Sequence, residues 1–214
     1  FSGGLVALML FAFGLFGVYF FTSLYVQGVL GFSPTKAGFA FLPMAVCMVI
    51  GAALSDRAAH RFGPHRTISF ALVLMGAGIA SVFLLDAQTG FAELMPSFVV
   101  IGIGGGLTVS LTATVLDQMP SGQAGVASGV FNASRELSAL LGITLLAVAL
   151  TSRQSQSLGA GAAPPQAFLD GFHLACLIAG GLVASGGAVA WAALRPRRDR
   201  ASATTAVPGI AVAG

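Results

Sequence analysis

The chain alternates between long apolar runs and short polar interruptions. The first run, "GLVALMLFAFGLFGVYFFTSLYVQ", covers residues 4–27 and is followed by the turn-rich "GFSPTKAG". Further runs cover about 37–59, 67–85 and 96–116, the last opened by Pro96, a residue favoured in the first turn of a helix. A fifth, over 123–150, starts polar and turns apolar only after Glu136. A loop rich in Ser, Gly, Ala and Pro is expected next, then a sixth run over 172–194. Each run is near or above the ~20 residues needed to cross a bilayer's hydrocarbon core. The pattern predicts an all-α integral membrane domain of six transmembrane helices over residues 1–194, and the short alternating segments of a membrane barrel are absent. The remaining "RPRRDRASATTAVPGIAVAG", residues 195–214, has no sustained amphipathic pattern and is expected to be a basic, then disordered, cytoplasmic tail.

Composition narrows the class further. Hydrophobic residues make up 56% of the chain and charged residues 8%, against about 25% charged in soluble domains; mean hydropathy is +0.91. The net charge of +3 does not point to nucleic acid, because the basic residues are scattered and the aromatics lie inside apolar runs. Cys47 and Cys176 both fall in apolar runs without metal-ligand spacing and are expected to be free, buried thiols. The first run lacks a basic leader and a small-residue cleavage site, so it is not read as a signal peptide. With no initiator Met at Phe1, the chain is expected to be cut from a longer protein.

The positive-inside rule orients the six helices. Arg57, Arg61, Arg66, Arg135, Arg195, Arg197, Arg198 and Arg200 fall on one side of this topology, and only Lys36 and Arg153 on the other. That imbalance predicts a cytoplasmic C-terminus in the cell membrane, with the turn "AHRFGPHRT", residues 59–67, also cytoplasmic. Asp56 and His60 lie one helical turn apart at the end of the second run, where a helix C-terminus favours cations such as Arg57 and Arg61. Gly63 permits a tight turn and Pro64 stiffens it. Asp56, Arg57, His60, Arg61, Gly63 and Arg66 could thus form a latch that biases two conformations by pairing with a neighbouring helix end, or act only as a topology determinant.

Three stretches carry a resemblance. "RFGPHR" resembles the loop motif repeated in the second half of major facilitator superfamily transporters. "YVQGVLGFSPTKAGFAFLP", residues 25–43, resembles a helix-loop-helix of that superfamily's fourteen-helix drug:proton antiporters, and "AGVASGVFNASRELSALLGITLL", residues 124–146, is similar to their penultimate helix. Where the family's loop often carries an acid just before the Arg, this chain has His60, with Asp56 a turn earlier. The resemblance implies the C-terminal six-helix half of a transporter, built as two inverted three-helix repeats, with a substrate site near the midplane between two halves. It also implies a missing N-terminal half, a small amphipathic substrate, protons as coupling ion, export by rocker-switch alternating access, and no cofactor.

Candidate wall residues follow from helical spacing. Phe16, Tyr19, Ser23 and Gln27 share one face of the first span. That stripe suits an amphipathic drug, although Ser and Thr also bond backbone carbonyls or join helices. Thr108, Thr112 and Asn132 are further candidates for the cavity. Gly102 and Gly106, and again Gly125 and Gly129, have the small-x-x-x-small spacing of close helix packing; without a preceding strand they are not a dinucleotide-binding motif. Arg135 and Glu136 sit in a helix entering the membrane, where each charge would cost ~2.5–3.5 kcal/mol at mid-depth, so an interfacial structural or gating role is expected. Asp86, Glu93 and Asp170 fall in loops and Asp117 at a helix end, leaving no deep carboxylate for proton coupling. His60, His65 and His173 lack metal-ligand spacing, and neither a nucleophile elbow nor paired carboxylates suggest an enzyme. A self-contained six-helix channel or half-size carrier, or a membrane sensor that moves nothing, is the alternative; a channel would need a polar ring, for which only residues 108–114 offer material.

Overall fold

The computed structural model describes residues 2–84, 91–116 and 124–194. The expected tail at 195–214 lies outside them. Among the described residues eight α-helices make six passes: α1 (Ser2–Gly28), α2 (Pro34–Ala40) with α3 (Leu42–Phe62), α4 (Pro64–Ser81), α5 (Met95–Leu107) with α6 (Val109–Leu116), α7 (Ala124–Gly159) and α8 (Pro164–Ala193). Five passes are long and apolar enough by themselves to cross a membrane. The sixth is α4, 18 residues long and opening with His65 and Arg66. Cys176 is buried and Cys47 half-buried, both as free thiols.

Two passes are broken, each for a local chemical reason. Pro43 has no N–H to offer the carbonyl of Phe39, so α2 ends in a tight turn at Phe41, whose N–H donates to Gly38 at 3.2 Å. In the fourth pass, three consecutive glycines, 104–106, precede Thr108, and the Thr108 hydroxyl donates back to the Gly105 carbonyl. Weak helix formers and a competing side-chain bond together interrupt the helix there. The stretch expected to be a loop after residue 150 is instead helix: α7 runs on to Gly159, and α8 starts at Pro164. Thr151 donates to the Ala147 carbonyl at 2.8 Å, so its polar side chain is satisfied within the helix. The helix stops only at Gly161, with φ +89°, where Gly161 N–H bonds Leu158 O and Ala162 N–H bonds Ser157 O, a Schellman arrangement.

Packing follows an internal symmetry. α4 lies along α8, α3 along α5, and α1 along α7, with further contacts of α1 with α8 and α4 with α5. Exchanging the first three passes for the last three maps this set of pairs onto itself. Successive passes alternate in direction, so corresponding passes of the two units run oppositely, as in inverted three-helix repeats. The chain is one six-helix, all-α membrane domain.

Small residues bring the backbones together. A methyl at Gly102 would meet the Met44 carbonyl at 2.5 Å, and one at Gly106 would run into the backbone of Met48. Gly125 and Gly129, with the same spacing, meet nothing within 4 Å, so they do not make the close packing expected of them among the described residues. The reason is position: the N-terminal turns of α7 present Gly125, Val126, Gly129 and Val130 outward, and only a narrow stripe including Ala127 and Phe131 faces the bundle.

Candidate substrate-facing wall

The face of α1 carrying Phe16 and Tyr19 is exposed, and the α2–α3 break sets an aromatic column against it. Tyr19 leans on Phe41 with ring centroids 4.4 Å apart; Phe41 stacks on Phe98 at 5.4 Å, and Phe98 meets Phe91 edge-on at 6.3 Å. Offset and edge contacts of this kind fix ring orientation beyond what area burial does. Pro43 is therefore what turns Phe41 into the seat of the Tyr19 ring. Beside the column lies a cavity of about 210 Å³ lined by Leu15, Phe16, Tyr19, Met44 and Met48. Met44 and Met48, one turn apart on α3, give this wall a polarizable, adaptable surface. Behind it the hydroxyl of buried Thr22 has no partner among the described residues.

The other expected wall residues are distributed differently. Ser23 and Gln27 satisfy each other, the Gln27 amide donating to Ser23 Oγ at 2.9 Å, and they lie further along α1 than the cavity. Thr108 is buried, its hydroxyl spent on Gly105, so it faces no open surface; Thr112 is half-buried. Asn132 is exposed on α7, its amide donating to the Ser128 carbonyl at 3.0 Å. The structure thus brings Phe16 and Tyr19 together and leaves the remaining five apart from their cavity. Phe41, Met44 and Met48 were not among the expected residues; the i, i+4 methionine pair just after a proline was the available signal.

The α3–α4 turn is as sharp as its sequence suggested. Gly63 adopts φ +88° and ψ 145°, a region open essentially to glycine, and one residue reverses the chain. Asp56, Arg57, His60, Arg61 and Arg66 are all exposed, and Arg61 lies 5.6 Å from the Phe62 ring centroid. Among the described residues none of them joins an ion pair. The pair that does form is Arg135–Glu136, at 3.0 Å between sequence neighbours with side chains 40% and 61% exposed. An exposed pair of this kind contributes little. Glu136→Gln is expected to change stability by less than about 0.5 kcal/mol, checked by denaturant titration in micelles; a larger loss would place the carboxylate in a buried network.

A second polar feature escaped the sequence reading. Ser55 of α3 is fully buried; its hydroxyl donates to the Leu107 carbonyl at 2.9 Å and accepts from the Ser110 N–H at 3.0 Å. One side chain thus bridges both sides of the α5–α6 break. A lone serine in a greasy run carries no such information by itself.

Comparison with known proteins agrees with this architecture. Residues 2–143 match the family described as the Major Facilitator Superfamily. The chain is 32% identical over 153 residues to a tetracenomycin C resistance and export protein of Streptomyces glaucescens, covering 71% of this chain and 28% of that protein. It is 30% identical over 200 residues to a puromycin resistance protein of Streptomyces alboniger, covering 89% and 40% respectively. A multidrug efflux pump of Mycolicibacterium smegmatis is 32% identical over 169 residues, covering 78% and 34%. The chain therefore spans well under half the length of these relatives.

Proposed function

The chain belongs to the Major Facilitator Superfamily, and we propose that it forms the C-terminal six-helix half of a proton-coupled exporter of amphipathic drugs or antibiotics. Its relatives include a resistance and export protein, a resistance protein and a multidrug efflux pump, which favours carriage over catalysis. The observation that carries the reading is the open aromatic and methionine wall of Phe16, Tyr19, Met44 and Met48. Such a surface binds flat or bulky apolar groups by contact area and tolerates variation in shape, which is what a carrier of diverse amphiphiles requires.

In this reading the partners are the lipid bilayer, an N-terminal half that closes the wall into a cavity, a small amphipathic substrate and protons. Among the described residues the wall is lined by Leu15, Phe16, Tyr19, Met44 and Met48, none of them a carboxylate, and proton coupling is assigned to the other half. The cell membrane is the location, with the α3–α4 turn and the C-terminus on the cytoplasmic side by charge asymmetry. The two halves rock about the substrate, and the charges from Asp56 to Arg66 bias the inward- and outward-facing states. A polar pore is disfavoured, because the hydroxyls of Thr108 and Thr114 are spent on carbonyls of their own helices.

The test is efflux of puromycin from cells or proteoliposomes carrying the intact transporter. Tyr19→Ala and Met48→Ala are each expected to reduce transport about tenfold at unchanged membrane abundance, a change equivalent to ~1.4 kcal/mol. Wild-type efflux in both variants would remove the wall from the substrate path.

A further inference from the structure

The α7–α8 turn closes the end of the bundle opposite the α3–α4 turn, and near it lies a cavity of about 340 Å³. Arg153 and Gln156 from α7, Asp170, Leu174 and Leu177 from α8, and Phe83 just beyond α4 line it. The Phe83 ring is held edge-on to His173, with centroids 5.4 Å apart. Asp170 thus lies inside α8 and not in the loop that the sequence suggested. Unlike the aromatic wall, this cavity carries charges of both signs beside exposed hydrocarbon.

One hydrogen bond fixes the heights of these groups. Ser157 Oγ donates to Asp170 Oδ2 at 2.6 Å, which sets the two residues level on helices that run in opposite directions. Arg153 comes four residues before Ser157 and Leu174 four after Asp170, so each lies about 6 Å deeper, towards the apolar part of the bundle. Leu177 lies nearly another turn below. Going inward, the carboxylate comes first, the arginine one turn down, and hydrocarbon from there on. Neither charge joins an ion pair among the described residues, although both line the same cavity. The Ser157 hydroxyl occupies one acceptor site of a carboxylate that has about four, so Asp170 can accept again.

We propose that this cavity binds a phospholipid whose head group ends in a primary ammonium, a phosphatidylethanolamine. In such a lipid the ammonium is outermost, the phosphate lies below it and the acyl chains lie below both, which is the order of complementary groups in the cavity. The ammonium donates to Asp170, the phosphate accepts from the Arg153 guanidinium and the Gln156 amide, and an acyl chain lies along Leu174, Leu177 and Phe83. An anionic lipid would bring a second negative charge to Asp170. A quaternary ammonium has no N–H to donate to that carboxylate, and a water-soluble zwitterion would leave the hydrocarbon uncovered. The site is apart from the α1 wall and does not depend on what is transported.

Native mass spectrometry of the intact protein tests it with four probes: phosphatidylethanolamine, phosphatidylcholine and phosphatidylglycerol with the same acyl chains, and glycerophosphoethanolamine, the head group without them. Phosphatidylethanolamine is expected to stay bound at about tenfold lower concentration than either other lipid, and glycerophosphoethanolamine not to displace it. Asp170→Asn should abolish the preference over phosphatidylglycerol by weakening the first lipid and leaving the second as well bound or better. A misfolded protein would lose both, and the asparagine oxygen can still accept from Ser157, so this pattern reads charge and not shape. Arg153→Gln should weaken both lipids about equally. Equal retention of the three lipids by the wild type, or an undiminished preference in Asp170→Asn, overturns the proposal. Displacement by glycerophosphoethanolamine also overturns it and would mean a site for small zwitterions instead.

Discussion

Gly180→Val is expected to cost the six-helix domain about 3 kcal/mol or more, while Gly181→Ala beside it is neutral or stabilising by up to ~1 kcal/mol. The two neighbours differ only in which way they face. A Cβ at Gly180 would stand 2.7 Å from the Gly76 carbonyl and 3.0 Å from the Ala80 nitrogen, and a Cβ at Gly76 would stand 2.6 Å from the Gly180 carbonyl. All these are backbone atoms, which cannot rotate away as a side chain can. Valine at Gly180 must therefore push α4 off α8, the pair that the internal symmetry places at the junction of the two three-helix units. At Gly181 a methyl meets nothing within 4 Å, so only the helix preference for alanine over glycine remains. Denaturant titration in mixed micelles, followed by circular dichroism, would give both values. A wild-type midpoint for Gly180→Val would mean that the two helices do not approach at this point.

Six membrane passes were legible in the sequence because each must present a long apolar surface, whatever its neighbours. Interruptions inside those runs were not. Pro43 and Thr108 sit in stretches that remain apolar on both sides, and the breaks arise from a missing N–H and from hydroxyl competition that hydropathy does not register. The stretch 151–159 misled in the opposite sense: it opens the Ser-, Gly-, Ala- and Pro-rich segment expected to be a loop, yet serine and threonine hydroxyls can bond the carbonyl one turn back and leave a helix intact, as Thr151 does.

Glycine spacing had a similar ambiguity. Gly102 and Gly106 pack closely, Gly125 and Gly129 do not, and the four-residue interval is the same. Spacing identifies a face of small residues but does not say whether another helix lies against it. The candidate wall was legible to the same extent. Phe16 and Tyr19 share a face by helical geometry alone, whereas Phe41, Met44 and Met48 join them only because the second pass breaks at Pro43 and brings the start of α3 against α1. Residues brought in from a second helix depend on packing, which one sequence read by periodicity does not supply.

Ser55→Ala is expected to destabilise the domain by about 1–3 kcal/mol, more than its small size suggests. In an unbroken helix the Ser110 N–H would bond the carbonyl four residues back; at the α5–α6 break it bonds the Ser55 hydroxyl instead, which also donates to Leu107 O. Alanine removes both functions and leaves the Ser110 N–H buried in a membrane segment without water to replace its partner. The Leu107 carbonyl is less affected, since the Ser110 hydroxyl also donates to it at 3.2 Å. The cost should therefore appear at one amide. Hydrogen exchange at Ser110 is expected to accelerate about tenfold or more in Ser55→Ala, equivalent to at least ~1.4 kcal/mol of local opening. Thr108→Ala provides the contrast, because it deletes only a bond from Thr108 to its own helix and leaves the clasp in place. If exchange at Ser110 instead rises in Thr108→Ala and not in Ser55→Ala, the break is held by residues of its own pass. If Ser55 carries it, α3 fixes the shape of the fourth pass from outside, and any bending at Thr108 must first release one buried hydroxyl.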